Sequence, residues 1–181
     1  PVPSEPKIVE TVHRYDVRGK NVGELIAELE TLGPVDGSGS RFDGMTNWSS
    51  DWSWTFSPTG RCGHGPPRVT MTIDQMFPQW ADEDGAPAFV VRNWDRYLHA
   101  LETHENGHRD NARAAARDMQ RELDRLASES DCATLDAAAD QAVQAITDRA
   151  DRDDVLSDAR TDHGSTQGAH FQIGSASCRE R

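Results

Sequence analysis

Apolar residues fall on alternate positions in two parts of the chain and at helical spacing in three others. Trp48, Trp52, Trp54 and Phe56 share one parity, and Asn47, Ser49, Asp51, Ser53 and Thr55 take the other. This is the period of a strand with one buried face. Such an aromatic row packs as a sheet face more often than it lines a substrate cleft, so packing is the expectation. Val69, Met71, Ile73 and Phe77 alternate with Arg68, Thr70, Thr72 and Asp74. With the turn-rich Pro58 to Pro67 between them, the two runs predict an antiparallel hairpin. Lys7 to Val17 is β-branched and predicts a further strand, and Pro78 to Pro87 reads as an acidic loop.

Asn21 has the chemistry of a helix N-cap, with Glu24 placed as in a capping box. Val22, Leu25, Ile26, Leu29 and Leu32 then form one apolar face, which Gly33-Pro34 ends. A long helix is predicted from near Asn93, with Trp94, Leu98, Leu101, Ala112, Ala115, Met119, Leu123 and Leu126 at helical spacing. Ser128 to Asp131 breaks that pattern. Thr134 can cap another helix, whose apolar face is Leu135, Ala138, Ala142, Val143 and Ile146. The charge run from Asp148 to Asp154 reads as a solvated helix end, and Ser157 to Gly164 as a polar, turn-like loop. Residues 1–6 read as an extended Pro-rich lead, 7–173 as one domain and 174–181 as a flexible tail.

Within the long helix lies His104-Glu105-Asn106-Gly107-His108, the pattern H-E-x-x-H. Side chains four residues apart share one helical face, so the two imidazoles can aim at one point, as the first two nitrogen ligands of a Zn²⁺ ion must. Glu105 can face the same site without ligating and act as general base toward a zinc-bound water. The bland alternative is an exposed turn with two solvated histidines. The position of the motif inside a long amphipathic helix favours the metal.

Composition narrows the partners. The chain has 181 residues, 35% of them hydrophobic, and a formal net charge of -12. Its isoelectric point is near 4.9 and its mean hydropathy -0.75. No Lys/Arg cluster offers a basic face, which argues against a nucleic-acid partner, and no apolar run is long enough for a membrane span. The sequence leaves the oligomeric state open. Cys62, Cys132 and Cys178 lack zinc-ribbon spacing. Cys62 and Cys132 sit at element ends and are expected to pair in an exported protein, leaving Cys178 free in the tail.

A catalytic zinc needs a third protein ligand. The extended helical motif fails, because Asn111 and Ala114 stand at its glycine and third histidine positions. Glu122 and Glu129 are downstream carboxylates, but on an unbroken helix Glu122 lies roughly 21 Å from His108 along the axis. The ligand must therefore return from elsewhere. His163, beside Gly164 in the polar loop, is the expected ligand, with Asp158 and Asp162 as alternatives for the metal or for its outer partners. Arg160, Tyr97 and His170 are unranked candidates for an oxyanion donor. His64 reads as a solvated loop histidine.

The succession of motifs resembles the bacterial predicted secreted zinc-dependent proteases, catalogued as domain of unknown function 922. It runs through Tyr15-Asp16-Val17-Arg18-Gly19, Gly33-Pro34, Gly44-Met45-Thr46-Asn47-Trp48, Trp52-Ser53-Trp54, Cys62, Pro78-Gln79-Trp80, Trp94, the zinc motif, Cys132, and Asp158-Ala159-Arg160-Thr161-Asp162-His163-Gly164. The resemblance implies a zincin-like α+β domain, a small antiparallel sheet packed on the long H-E-x-x-H helix. It also implies zinc at His104 and His108, Glu105 as general base, a protein or peptide substrate, and a secreted or periplasmic location. The family often shows Tyr-Asp where this chain has Ser157-Asp158. That departure motivates an alternative function, a non-catalytic zinc-binding or interaction module on the same scaffold.

Overall fold

The computed structural model describes residues 4–129 and 131–172, apart from the side chain of Glu129. The tail from 174 onward, with Cys178, and the first residues of the lead lie outside them. The fold is α+β, a small mixed sheet of three strands with three helices. The order along the chain is β1 (Lys7–Val17), α1 (Val22–Leu32), β2 (Met45–Phe56), β3 (His64–Trp80), α2 (Ala88–Glu129) and α3 (Leu135–Thr161). In the sheet the strands lie β1-β3-β2.

The expected all-antiparallel sheet is therefore corrected. Ala81, just past β3, donates its N–H to the carbonyl of Val17 at the end of β1, 2.9 Å away, so the two strands finish side by side. Strands joined through an intervening helix and a further strand can pair in parallel, whereas the short β2–β3 connection cannot. β3 also runs on through Pro78 to Trp80, into the stretch read as an acidic loop. Trp80 holds that end by donating Nε1–H to the carbonyl of Gly19 at 2.9 Å.

The chain packs as two compact units, and the strands and long helices each contribute to both. Among the described residues, one unit comprises 4–11, 46–74, 107–129 and 131–157. Its core takes Val69, Met71 and Ile73 from β3, Ala112, Ala116, Met119 and Leu123 from α2, and Leu135, Ala139 and Ala150 from α3. Trp48, Trp52 and Trp54 pack on this core half-buried, as a sheet face should, but Phe56 at the strand end is 85% exposed. Gln120, 1% exposed, crosses the core and satisfies the β3 backbone by accepting from Val69 N–H and donating to the Pro67 carbonyl.

Among the described residues, the other unit comprises 12–45, 75–106 and 158–172. Its core joins Val17, Leu25, Leu29, Phe77, Trp94 and Leu101, with Tyr97 and Phe171 in edge and tilted ring contacts. Asn21 caps α1 by accepting the Glu24 N–H at 3.0 Å, a contact worth about 1 kcal/mol. Asp43 is largely buried here. Tyr97 donates its hydroxyl to Asp43 Oδ2 at 2.9 Å, and Tyr15 donates to the Asp43 carbonyl at 2.8 Å. Burial raises the Asp43 pKa against the lowering effect of the Tyr97 hydrogen bond.

Two helix boundaries differ from expectation. α2 starts at Ala88, ahead of Asn93, and is continuous for 42 residues. α3 does not end in the charge run but continues through it to Thr161. The run is not uniformly solvated: Asp148, Asp151 and Asp153 are exposed, but Ala150 is 3% exposed and Asp154 faces the buried His108. Among the described residues no helix is long and apolar enough to cross a membrane.

The expected bridge between Cys62 and Cys132 is present, with Cα atoms 5.3 Å apart and a sequence separation of 70. In the chain-entropy account a loop of that length contributes about 4 kcal/mol. The Cys62→Ser, Cys132→Ser double variant is expected to lose stability on that scale in urea unfolding. An unchanged midpoint would show that the bridge contributes nothing to the fold.

Candidate metal centre

His104 and His108 stand one turn apart on unbroken α2 and are 5% and 8% exposed, with Glu105 at 5%. Burying imidazole and carboxylate groups is costly unless each polar atom is matched. The matching defines the site.

His104 Nδ1 faces Gln167 Oε1 at 3.1 Å, with the Thr161 hydroxyl at 3.5 Å. An amide oxygen only accepts, so the tautomer that donates from Nδ1 to Gln167 makes Nε2 the nitrogen able to ligate. Nε2 lies 3.1 Å from Asp158 Oδ1. The backbone that brings Gln167 round is a tight left-handed turn, with φ of 51° at Asp162, 49° at His163 and 82° at Gly164. A Cβ on Gly164 would lie 2.9 Å from His104 Cγ, so only glycine lets the turn close on this ring. Gly44 plays a similar part at the start of β2, where a Cβ would meet Leu101 Cδ1 at 3.0 Å and Glu105 Cγ at 3.2 Å.

His108 is oriented in the same sense. Its Nδ1 lies 2.8 Å from Asp154 Oδ1, which leaves Nε2 as the atom able to ligate. Asp154 is itself held by donors. Asn111 Nδ2 donates to Oδ1 at 2.8 Å and to the Ala150 carbonyl at 2.9 Å, and Trp48 Nε1–H donates to Oδ2 at 3.0 Å. An imidazole whose far nitrogen is tied to a carboxylate is a common arrangement behind a metal ligand, because it fixes the ring and raises its basicity.

His104, His108 and Asp158 each offer a ligand atom within 4.8 Å of the others. This buried cluster can bind a metal ion. The donor chemistry fits one. Two ligands roughly 2.0–2.2 Å from a tetrahedral zinc stand about 3.4 Å apart, close to the His104–Asp158 separation. With Nε2 deprotonated, His104 and Asp158 both offer lone pairs, and a cation between them would satisfy both.

The other residues singled out in the sequence are placed as follows. His163 is 55% exposed, makes a tilted ring contact with Phe42 at 5.1 Å, and has Nδ1 3.8 Å from Asp158 Oδ2. It stands beside Asp158 and is not one of the three converging residues. Asp162 is exposed in the left-handed turn. Glu122 pairs with Arg125 on its own helix, and the Glu129 side chain is outside the described residues. Among the oxyanion candidates, Tyr97 has its hydroxyl on Asp43, while Arg160 and His170 are exposed. His64 stacks on Trp54 and pairs with Asp136 at 3.7 Å.

Sequence reasoning did not find Asp154, Gln167, Asn111 or the indole of Trp48. One signal was available. Asp154 and Asp158 are four residues apart, as His104 and His108 are, and an uninterrupted α3 sets both carboxylates on one face. The pairs then match in reverse order, His104 with Asp158 and His108 with Asp154.

Residues 12–164 match the family described as "Bacterial protein of unknown function (DUF922)", and the chain belongs to that family. No curated protein and no solved structure matches it.

Affinity for a metal ion, probed with Zn²⁺, would order the roles. His104→Ala, His108→Ala and Asp158→Ala are each expected to lower it more than His163→Ala does, measured by competition with a chromophoric chelator. The reverse order for Asp158 and His163 would assign the third ligand to His163. Asp154→Asn, which spares the ligands, is expected to cost 10–100-fold, the usual range for an outer partner. An unchanged affinity would mean that the carboxylate does not tune His108.

Proposed function

We propose that this protein is a zinc metallopeptidase that hydrolyses peptide bonds in protein or peptide substrates outside the cytoplasm. The observation that carries the reading is the composition of the ligand group. Among the described residues it holds three side chains, His104, His108 and Asp158, while the buried Glu105 stands next to His104 and outside the group. A structural zinc is closed by four protein ligands, and a catalytic one keeps a position open. A buried carboxylate beside the ligands has a use in acid–base chemistry and none in a closed structural site.

Zinc at this position would polarise a scissile carbonyl and lower the pKa of attacking water. The side chains of the chain do the rest. His104 and His108 present Nε2, their rings fixed by Gln167 Oε1 and by Asp154. Asp158 supplies the anionic donor, and His163 beside it can steady the carboxylate's second oxygen. Glu105 takes the proton from the water and passes it to the leaving amine nitrogen. The Cys62–Cys132 bridge supports an oxidising compartment, secreted or periplasmic.

Glu105→Gln is the decisive variant. It is expected to bind zinc as the parent does and to lose about 10²–10⁴-fold in cleavage of a peptide library read by mass spectrometry. Full activity in the variant would remove Glu105 from the mechanism. Zinc binding with no cleavage by the parent would favour the non-catalytic module.

A further inference from the structure

A cavity of about 520 Å³ lies on α2 between Asn93 and Thr103 and is closed on its other side by the segment from Gln167 to Gln172. Its lining is unusual for this chain. Acidic residues outnumber Lys and Arg by 31 to 19 overall, yet the wall carries Arg96, His99 and His170 and no carboxylate side chain. Arg96 spends one NH2 donor on Asn93 Oδ1 at 2.8 Å, and the guanidinium has others. Asn93 turns its own amide to the Gln172 carbonyl at 2.8 Å, which holds the closing segment against the helix. The nearby carboxyl of Asp43, which interacts electrostatically with His170, is engaged by the Tyr97 hydroxyl.

Gln167 belongs to this wall and to the metal centre at once. Its Oε1 accepts from His104 Nδ1 at 3.1 Å, while its Nε2 has no hydrogen-bond partner among the described residues. We propose that the cavity is a binding site for a small oxyanion, a carboxylate or an inorganic anion, held by Arg96, His99, His170 and the Gln167 amide. An anion accepting from Gln167 Nε2 orients the amide so that Oε1 stays on His104. Occupancy of the cavity then steadies the ring whose Nε2 takes the metal, and by linkage metal and anion strengthen each other's binding. The anion site needs no metal; the linkage rests on metal binding at His104, as in the proposed function, but not on peptide hydrolysis.

The test uses the full chain without metal and follows the imidazole resonances of His99 and His170 by NMR at constant ionic strength. Sulfate is one probe; acetyl-dialanine with a free carboxylate is another, set against its C-terminal amide. Saturable shifts with sulfate or with the acid are expected, and Arg96→Ala is expected to weaken them by about tenfold or more, as for a charge-assisted contact. Tighter binding of the acid than of sulfate would identify a peptide terminus as the natural anion, and the reverse an inorganic ion. Absence of saturable shifts with both anions, binding of the acid that its amide matches, or an undiminished Arg96→Ala variant would overturn the site. Zinc affinity is then measured with and without saturating sulfate. A gain of a few-fold in the parent, lost in Arg96→Ala whose sulfate-free affinity is unchanged, supports the link. An affinity that sulfate leaves unaltered overturns it. None of these readouts involves cleavage, so they stand or fall apart from the peptidase reading.

Discussion

The continuity of α2 is the constraint on which the site depends. A helix of 42 residues runs unbroken from Ala88 to Glu129, so the offset between His104 and His108 is a property of backbone geometry. Neither ring needs a loop to bring it to the other. What the helix does not supply is orientation, because an imidazole on a helix face still turns about two bonds. The contacts at Nδ1 restrict that freedom and make Nε2 of each ring the nitrogen able to ligate.

The same bonds address the cost of burial. Two histidines and a glutamate with exposures of 5 to 8% would be unfavourable in an apolar core. Asp154 and Asp158 meet the rings, and Asn111 and Trp48 meet Asp154 in turn. The indole of Trp48 thus packs as part of an aromatic sheet face and supports the candidate metal centre through one N–H to Asp154. In a chain with net charge -12, acidic side chains massed around buried imidazoles also favour any cation that enters.

Close approach of backbone to side chain makes the second layer possible. Gly44 lets the start of β2 pass against Leu101 and Glu105, and Gly164 lets the turn after α3 fold onto His104. Asp43, fastened by Tyr15 and Tyr97, holds the backbone just before Gly44. The left-handed turn at Asp162, His163 and Gly164 ends α3 and returns the chain to α2, where Gln167 reaches both His104 and the adjoining cavity.

Much of this was legible in the sequence. The limits of β1, the Asn21 cap, the hairpin and the H-E-x-x-H face follow from local rules of period and capping, because each depends on neighbours within one element. The pairing of Cys62 with Cys132 was readable from their places at element ends. The local rules misread the stretch from Asp148 to Gly164. Its charges look like a solvated helix end followed by a loop, and from that reading His163 was the natural third ligand. In the fold, Ala150 is buried and the helix continues, so Asp154 and Asp158 become a second pair with helical spacing, while His163 is turned half outward. Whether a charged residue in such a run faces water or a buried partner depends on what lies across from it. Here that is a histidine some 46 residues earlier in the chain for Asp154, a separation over which sequence period carries no information. The sequence by itself determined which residues have the chemistry to bind a metal. The tertiary structure decided which of them converge, because convergence is set by the packing of α3 against α2 and by the turn that Gly164 permits.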